Sequence, residues 1–174
     1  MKNRALFLDR DGVVNIEKDY LFKIKDFEFI DGIFELCQHF SALGYFIIIV
    51  TNQSGIARGY YSEDDFNRLT SWMIHEFSLH GITVSSVYYC PHHPNISGAC
   101  SCRKPKPGML LEAKDKFNLD LKNSIMVGDK ERDIEAGLNA GLHETYLLDE
   151  SRKIKHSKAT KIVTSLYEIW ENRC

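Results

Sequence analysis

Two aspartates one residue apart, Asp9 and Asp11, follow a short apolar run near the start of the sequence. The run 5–8 predicts a buried strand, so both acids lie at its carboxyl end, where open α/β sheets bind their ligands. Alternate residues of an extended chain point the same way, and both carboxylates can therefore face one site. One can attack an electrophile or hold a metal ion while the other moves protons. An acidic turn ending in Gly12 is the alternative interpretation, because Asp-Gly is common after strands.

Three further polar segments supply partners for these acids. A second apolar run ends in Thr51 and a glycine-containing loop, whose backbone N–H groups can bind phosphate. The basic segment 103–106 precedes a predicted helix with Pro107 in its first turn, and a helix start favours anions. A third apolar run ends in the acidic segment 128–133. Acids, a hydroxyl and a lysine in these positions predict a phosphate and divalent-metal site.

These segments resemble the four motifs of the haloacid dehalogenase superfamily of phosphohydrolases. The matching residues are Asp9-x-Asp11-Gly12, Thr51, Lys104 and Gly128-Asp129-x-x-x-Asp133. Longer segments are similar to its heptose bisphosphate phosphatase branch, namely 29–32, 50–59, 89–94 and 102–105. The resemblance covers about residues 4–148, and its most specific parts are the string 51–59 and the Cys/His loop.

The resemblance implies an α/β fold, a Rossmann-like three-layer sandwich with a central parallel sheet. Apolar runs that alternate with helical periodicity also predict βαβ units and a parallel sheet. Strands are predicted at 5–8, 46–50, 84–89, 125–127 and, as the last of the sheet, 145–148. Helices are predicted at 33–43, 109–117 and 134–140. A further helix is capped by Ser62, has Asp65 in its first turn and buries Phe66, Leu69, Met73 and Phe77, and a closing helix contains Leu166, Ile169 and Trp170.

The spacing of the motifs leaves little room for an inserted cap domain. Segment 13–31 is too short, and 59–103 is filled by one helix, one strand and the Cys/His loop. We therefore expect one capless domain over 1–174, with an embedded zinc-binding loop at about 90–102. An open site must take its specificity from loops.

The resemblance also implies a role for each motif residue. Asp9 attacks phosphorus and forms an aspartyl-phosphate, and Asp11 protonates the leaving oxygen and then takes a proton from water. Mg²⁺ is held by Asp9, the backbone carbonyl of Asp11, and Asp129. Thr51 and Lys104 hold the phosphoryl oxygens.

Substrate contacts and one further acid complete the implied site. The predicted substrate-binding residues are Glu17, Lys18, Asp19, Tyr20, Asn52, Gln53, Ser54, Arg58, Arg103 and Lys130. Asp133 supports Lys104 or a metal-bound water, with a helix-cap acid as the alternative interpretation.

Three cysteines and two histidines share one short segment. Three thiols and an imidazole suit tetrahedral Zn²⁺, and a loop this small cannot build a core of its own. Spacing leaves His92 and His93 both open as the fourth ligand; the family pattern favours His92, which gives the set Cys90, His92, Cys100 and Cys102. Reduced surface cysteines are the alternative. Cys37 is predicted in the core and Cys174 at a frayed terminus.

Composition bounds the remaining possibilities. A chain of 174 residues, 44% hydrophobic and 26% charged, is typical of one soluble globular domain. A net charge of −2 gives no general attraction to nucleic acid or anionic membranes. The first apolar run is too short for a signal peptide. We expect a cytoplasmic monomer that takes a small sugar bisphosphate and binds neither nucleic acid nor a membrane.

The resemblance implies removal of the 7-phosphate of D-glycero-D-manno-heptose 1,7-bisphosphate, for nucleotide-activated heptose and lipopolysaccharide or another surface glycan. A histidinol-phosphate or other small-metabolite phosphatase is the first alternative, since it shares the zinc loop, but the string 54–59 opposes it. A non-enzymatic zinc-dependent interaction module is the second. The acidic balance and the complete catalytic set oppose that alternative.

Overall fold

A computed structural model describes residues 2–171. Its centre is a six-stranded sheet in the order β3-β2-β1-β4-β5-β6. The strands are β1 Arg4–Leu8, β2 Tyr45–Asn52, β3 Val84–Cys90, β4 Ile125–Gly128, β5 Glu144–Leu148 and β6 Lys161–Val163. All neighbouring pairs are parallel, so the carboxyl ends of all six strands lie along one edge.

Helices cover both faces of this sheet. They are α1 Ile33–Ala42, α2 Glu63–Leu79, α3 Pro94–Ser97, α4 Gly108–Phe117 and α5 Glu131–Ala140, with 3₁₀ turns at Ile24–Asp26, Leu121–Asn123 and Leu166–Ile169. Side chains of β1 alternate between two cores: Leu6 and Leu8 pack with α1 and α2, whereas Ala5 and Phe7 pack with α4 and α5. The predicted three-layer α/β fold is confirmed.

Local signals explain where the helices begin and end. The Ser62 hydroxyl accepts a hydrogen bond from the Asp65 backbone N–H, and the Asp65 carboxylate accepts one from Ser62. This reciprocal cap is the one that the sequence predicts for α2. α1 ends just before Gly44, whose φ of +80° suits a residue without a Cβ. Among the described residues, no helix is both long enough and apolar enough to cross a bilayer.

Several predicted boundaries were wrong. The sheet does not end at β5, because the three-residue strand β6 pairs with it; so short a strand carries too little apolar pattern to be recognised in a polar segment. The closing helix is a 3₁₀ turn over Leu166–Ile169. α5 begins three residues earlier than predicted, and Pro107 lies immediately before α4 rather than in its first turn.

Two cysteines, Cys37 and Cys174, lie outside the Cys/His segment. Cys37 is fully buried in the core, as predicted. Cys174 lies outside the described residues.

Candidate active site

The site forms where three adjacent strands end. Strands β1 and β4 are neighbours, but the chain passes from β1 to β2 and from β4 to β5, in opposite directions along the sheet, so a crevice opens between them at the carboxyl edge. Asp9 follows β1, Thr51 lies at the end of β2, and Asp129 follows β4. Side chains separated by more than 100 positions in the sequence therefore meet at one place.

A buried lysine connects the acids of this crevice. The Lys104 Nζ lies 2.8 Å from Asp9 Oδ1 and 2.7 Å from Asp133 Oδ1, and it donates to the Val50 carbonyl oxygen at 2.8 Å. Burial alone lowers the pKa of Lys104, but the charges of Asp133 and Asp9 outweigh it and the net shift is upward. Lys104 is therefore a buried cation fixed beside the Asp9 carboxyl group.

Three carboxyl groups crowd the floor of the site. Oxygens of Asp9, Asp129 and Asp133 lie within 4.8 Å of one another. Burial, and then the charge of Asp133, raises the pKa of Asp9 well above its usual value, while Lys104 opposes the shift. Among residues 2–171, the buried Asp129 Oδ1 has no hydrogen-bond partner.

These observations fit a hard divalent cation. Mg²⁺ prefers carboxylate oxygens and would satisfy Asp129 Oδ1 while offsetting the repulsion between the acids. Gly12 leaves the space that the Asp129 carboxyl group occupies, because a Cβ on Gly12 would lie 2.4 Å from that group. Its φ of +91° also favours glycine. The Asp11 side chain lies outside this acidic group, so only its backbone carbonyl remains in the predicted ligand set.

The Asp11 carboxylate is held by other partners. Its Oδ1 accepts hydrogen bonds from Arg10 Nη2 and Asn15 Nδ2, each at 3.0 Å, and its Oδ2 accepts one from Gln53 Nε2 at 3.0 Å. Arg10 is itself only 1% exposed. Asp11 therefore faces the same cleft as Asp9 with its carboxylate plane fixed.

A cleft of about 410 Å³ opens above these groups, which is the size of a small-molecule site. Above the floor, its mouth carries four cationic side chains, Arg58, Arg103, Lys130 and Arg132, and two acidic ones, Glu17 and Asp19. The Lys130 Nζ is paired with Asp129 Oδ2 at 2.8 Å, and Arg103 Nη1 donates to the His92 carbonyl oxygen at 3.2 Å. A cationic mouth above a buried lysine favours an anion with more than one phosphate.

The Cys/His segment folds beside this mouth. The sulfurs of Cys90, Cys100 and Cys102 and the His92 Nδ1 lie within 4.8 Å of one another. Cys90 Sγ is 3.6 Å from both Cys100 Sγ and His92 Nδ1, and His92 Nδ1 is 3.3 Å from Cys102 Sγ. The sulfurs of Cys90 and Cys102 are closer, at 2.9 Å. A zinc–sulfur bond of about 2.3 Å implies tetrahedral edges of about 3.7 Å. Three of the four separations approach this length, and the donor set of three thiols and one imidazole is one that Zn²⁺ takes. His93 contacts Arg58 instead, at 2.8 Å.

Comparison with known proteins agrees with this geometry. The model of the HAD-hydrolase-like family matches residues 101–169. D-glycero-alpha-D-manno-heptose-1,7-bisphosphate 7-phosphatase of Campylobacter jejuni subsp. jejuni serotype O:2 is 57% identical over 153 residues, which is 88% of this chain and 87% of the relative. The corresponding beta-heptose enzyme of Pasteurella multocida is 48% identical, over 87% of this chain and 84% of the relative. The chain belongs to the haloacid dehalogenase (HAD) superfamily.

A solved structure extends the likeness to three dimensions. The crystal structure of D,D-heptose 1.7-bisphosphate phosphatase from B. bronchiseptica, complexed with magnesium and phosphate, superposes with a TM-score of 0.84 at 29% identity. The match covers 95% of each chain. The two proteins therefore share the HAD fold over nearly the whole length of both chains.

Most substrate-binding residues predicted for this HAD protein line the cleft, and one does not. The cleft includes Glu17, Asp19, Tyr20, Asn52, Gln53, Ser54, Arg58, Arg103 and Lys130. Lys18 lies outside the cleft lining, and its Nζ pairs with the Glu28 carboxylate and donates to the Asp26 carbonyl oxygen. Asn52 also holds the backbone of Lys104. Its Oδ1 accepts a hydrogen bond from the Lys104 N–H at 3.0 Å, and its Nδ2 donates one to the Lys104 carbonyl oxygen at 3.2 Å.

The structure also adds residues that sequence reasoning missed. Arg10 and Asn15 hold Asp11, and Tyr61 and Arg132 line the cleft. The sequence alone could have predicted a role for Arg10 in the site, because this charged residue lies between the two motif acids at the end of a buried strand. Tyr61 carried no such signal, because it lies beyond the motif loop.

Proposed function

We propose that this protein removes the 7-phosphate of D-glycero-D-manno-heptose 1,7-bisphosphate through an aspartyl-phosphate. The observation that carries this proposal is the buried contact of Asp9 with Lys104 on the floor of a cleft with a cationic mouth. One phosphate fits the floor and the other fits the mouth. The substrate class follows from relatives at 57% and 48% identity that are named for it.

The chain's own residues divide the work of phosphoryl transfer. Asp9 attacks phosphorus and displaces the sugar oxygen, to which Asp11 gives a proton. Asp11 then takes a proton from the water that hydrolyses the aspartyl-phosphate. Lys104 and Thr51 stabilise the negative charge of the transferring oxygens.

Asp9, Asp129 and the backbone carbonyl of Asp11 would hold Mg²⁺ at the floor. The ion, when bound, neutralises the charge of the phosphoryl group. Asp133 supports Lys104, which its Oδ1 contacts at 2.7 Å, and it also caps α5, since its Oδ2 accepts a hydrogen bond from the Lys130 backbone N–H at 3.0 Å.

Phosphate release measured across a panel of esters tests the function. Both anomers of the heptose bisphosphate belong in the panel, since relatives of both kinds are similar to this chain. Fructose 1,6-bisphosphate and histidinol phosphate are the comparison substrates. The highest kcat/KM is expected for a heptose bisphosphate; a higher value for histidinol phosphate would favour the alternative phosphatase, and no magnesium-dependent turnover at all would contradict the proposal.

Arg103 is proposed to bind the second phosphate. Its planar guanidinium matches phosphate oxygens, and its bond to the His92 carbonyl oxygen holds it at the mouth of the cleft. Arg103→Ala should reduce kcat/KM for the heptose bisphosphate by about 10²-fold, the loss of a charge-assisted pair, and much less for a simple monophosphate ester. Steady-state kinetics on both substrates measure the difference. Equal losses would place recognition of the second phosphate elsewhere, in the loops that contain Glu17 and Arg58.

We also propose that Cys90, His92, Cys100 and Cys102 bind one structural Zn²⁺. The four donor atoms lie within 4.8 Å of one another, and four protein ligands are the number that a closed structural zinc site uses. The cluster lies directly before Arg103 and Lys104, so metal binding would fix the backbone of both.

Replacement of Cys100 and Cys102 by Ser should abolish zinc binding and loosen the loop, because the metal supplies its folding energy. Elemental analysis should find about one Zn per wild-type chain and almost none in the double variant. Cys37→Ala is the matched control, since this buried cysteine lies outside the cluster and its loss should leave the zinc content unchanged. Wild-type protein without zinc, prepared in the absence of chelators, would show that the site is wrong.

The wider setting remains part of this proposal. The product would feed nucleotide-activated heptose synthesis for lipopolysaccharide or another surface glycan. A cytoplasmic location, a monomeric state and a single domain over 1–174 stay predictions.

A further inference from the structure

Tyr61 is held rigidly next to the catalytic residues. It is 7% exposed, and its ring stacks on Phe22 with centroids 5.3 Å apart. The ring also lies against Gly55, where a Cβ would be 2.2 Å from the nearest ring carbon. Gly55 is therefore required by the tyrosine ring, which can neither tilt nor withdraw without losing these contacts. The hydroxyl is fixed as a result.

The Tyr61 hydroxyl donates a hydrogen bond to the Gln53 side-chain oxygen, Oε1. Burial raises the pKa of Tyr61 to about 12, so the hydroxyl keeps its proton at neutral pH and can donate. The amide NH₂ of Gln53 then points the opposite way. It donates to Asp11 Oδ2 at 3.0 Å and to Thr51 Oγ1 at 2.9 Å.

This orientation of the amide serves two catalytic groups at once. If the amide turned over, its oxygen would face the Asp11 carboxylate, and two acceptors would repel each other. Because Gln53 fills an acceptor position of the Thr51 hydroxyl, the hydroxyl proton stays available for a phosphoryl oxygen. Asp11 Oδ1 already accepts from Arg10 and Asn15, which leaves Oδ2 as the less crowded oxygen for proton transfer.

We propose that Tyr61 is a positioning residue, which acts through the Gln53 amide to orient Asp11 Oδ2 and the Thr51 hydroxyl for phosphoryl transfer. The inference rests on the proposed function, because it assigns Asp11 and Thr51 their parts in that reaction.

Tyr61→Phe tests the role, since it removes only the hydroxyl and keeps the contacts of the ring with Phe22 and Gly55. The kcat/KM for the heptose bisphosphate should fall on the order of tenfold, the scale of one lost hydrogen bond. The loss should be smaller for p-nitrophenyl phosphate, whose leaving group departs without a proton from Asp11. Tyr45→Phe is the matched control: it removes a hydroxyl bonded to Arg4 at the opposite end of β2 and should leave kcat/KM unchanged.

A double-mutant cycle shows whether the effect passes through Gln53. In a Gln53→Ala background, Tyr61→Phe should cause no further loss of kcat/KM, because the amide that transmits the effect is gone. Wild-type kcat/KM in Tyr61→Phe, or the full loss retained in the Gln53→Ala background, would overturn the inference. An inactive wild-type protein would instead overturn the proposed function, so the two failures are distinguishable.

Discussion

Asp9→Asn is expected to abolish phosphate release, by at least about 10⁴-fold, because an amide neither attacks phosphorus nor binds magnesium well. The side chain is nearly isosteric, and its oxygen can still accept the bond from Lys104 that Asp9 Oδ1 accepts at 2.8 Å. The fold should therefore survive. Phosphate release at saturating heptose bisphosphate and magnesium measures the loss, and circular dichroism checks the fold.

Asp11→Asn is the informative comparison for this experiment. Loss of a general acid and base costs roughly 10²–10⁴-fold, so residual turnover should be measurable. With its oxygen in the place of Oδ1, the amide keeps the bonds from Arg10 and Asn15, and its NH₂ faces the NH₂ donor of Gln53. Turnover of Asp9→Asn close to the wild-type rate would rule out the aspartyl-phosphate mechanism.

Lys104→Met should produce the second-largest loss, about 10³-fold in kcat/KM on a bisphosphate and on a simple monoester alike. Lys104 acts on the reacting phosphate, which both substrates share. Methionine keeps most of the side-chain volume but removes the cation between Asp9 and Asp133. A buried carboxylate without its partner should also lower the free energy of unfolding by about 3 kcal/mol or more.

Two further variants separate catalysis from stability. Adding Asp133→Asn to Lys104→Met should recover much of the lost stability in thermal unfolding, because it removes an unpaired buried carboxylate, but it should not recover activity. Lys114→Met, on the exposed side of α4, is the matched control and should change neither property. A loss confined to the bisphosphate would show that Lys104 reads the second phosphate instead.

The sequence by itself determined the motifs and the sheet edge that carries them. Asp9, Thr51 and Asp129 each follow or end a short apolar run, and parallel strands with helical connections place such residues at one edge. The cap of α2 and the core stripes are also local patterns, so periodicity sufficed. The Cys/His segment was recognisable because all its candidate ligands lie within 13 consecutive residues, 90–102.

Tertiary structure decided the contacts between segments that no local pattern connects. It separated His92, which joins the cysteines, from His93, which contacts Arg58, although the two are adjacent in sequence. It turned Lys18 to Glu28 and away from the cleft. It added β6, whose pairing with β5 a three-residue pattern cannot specify.

Tyr61 shows most clearly why a local pattern cannot predict contacts between distant segments. Its hydroxyl bonds Gln53 while its ring packs against Phe22 and Gly55, residues that come from two different loops. Residue type and spacing determine which groups an element carries, since strand and helix periods are local. The direction of a buried side chain depends on packing against distant residues and on hydrogen bonds that must be satisfied there, and these exist only once the chain has folded.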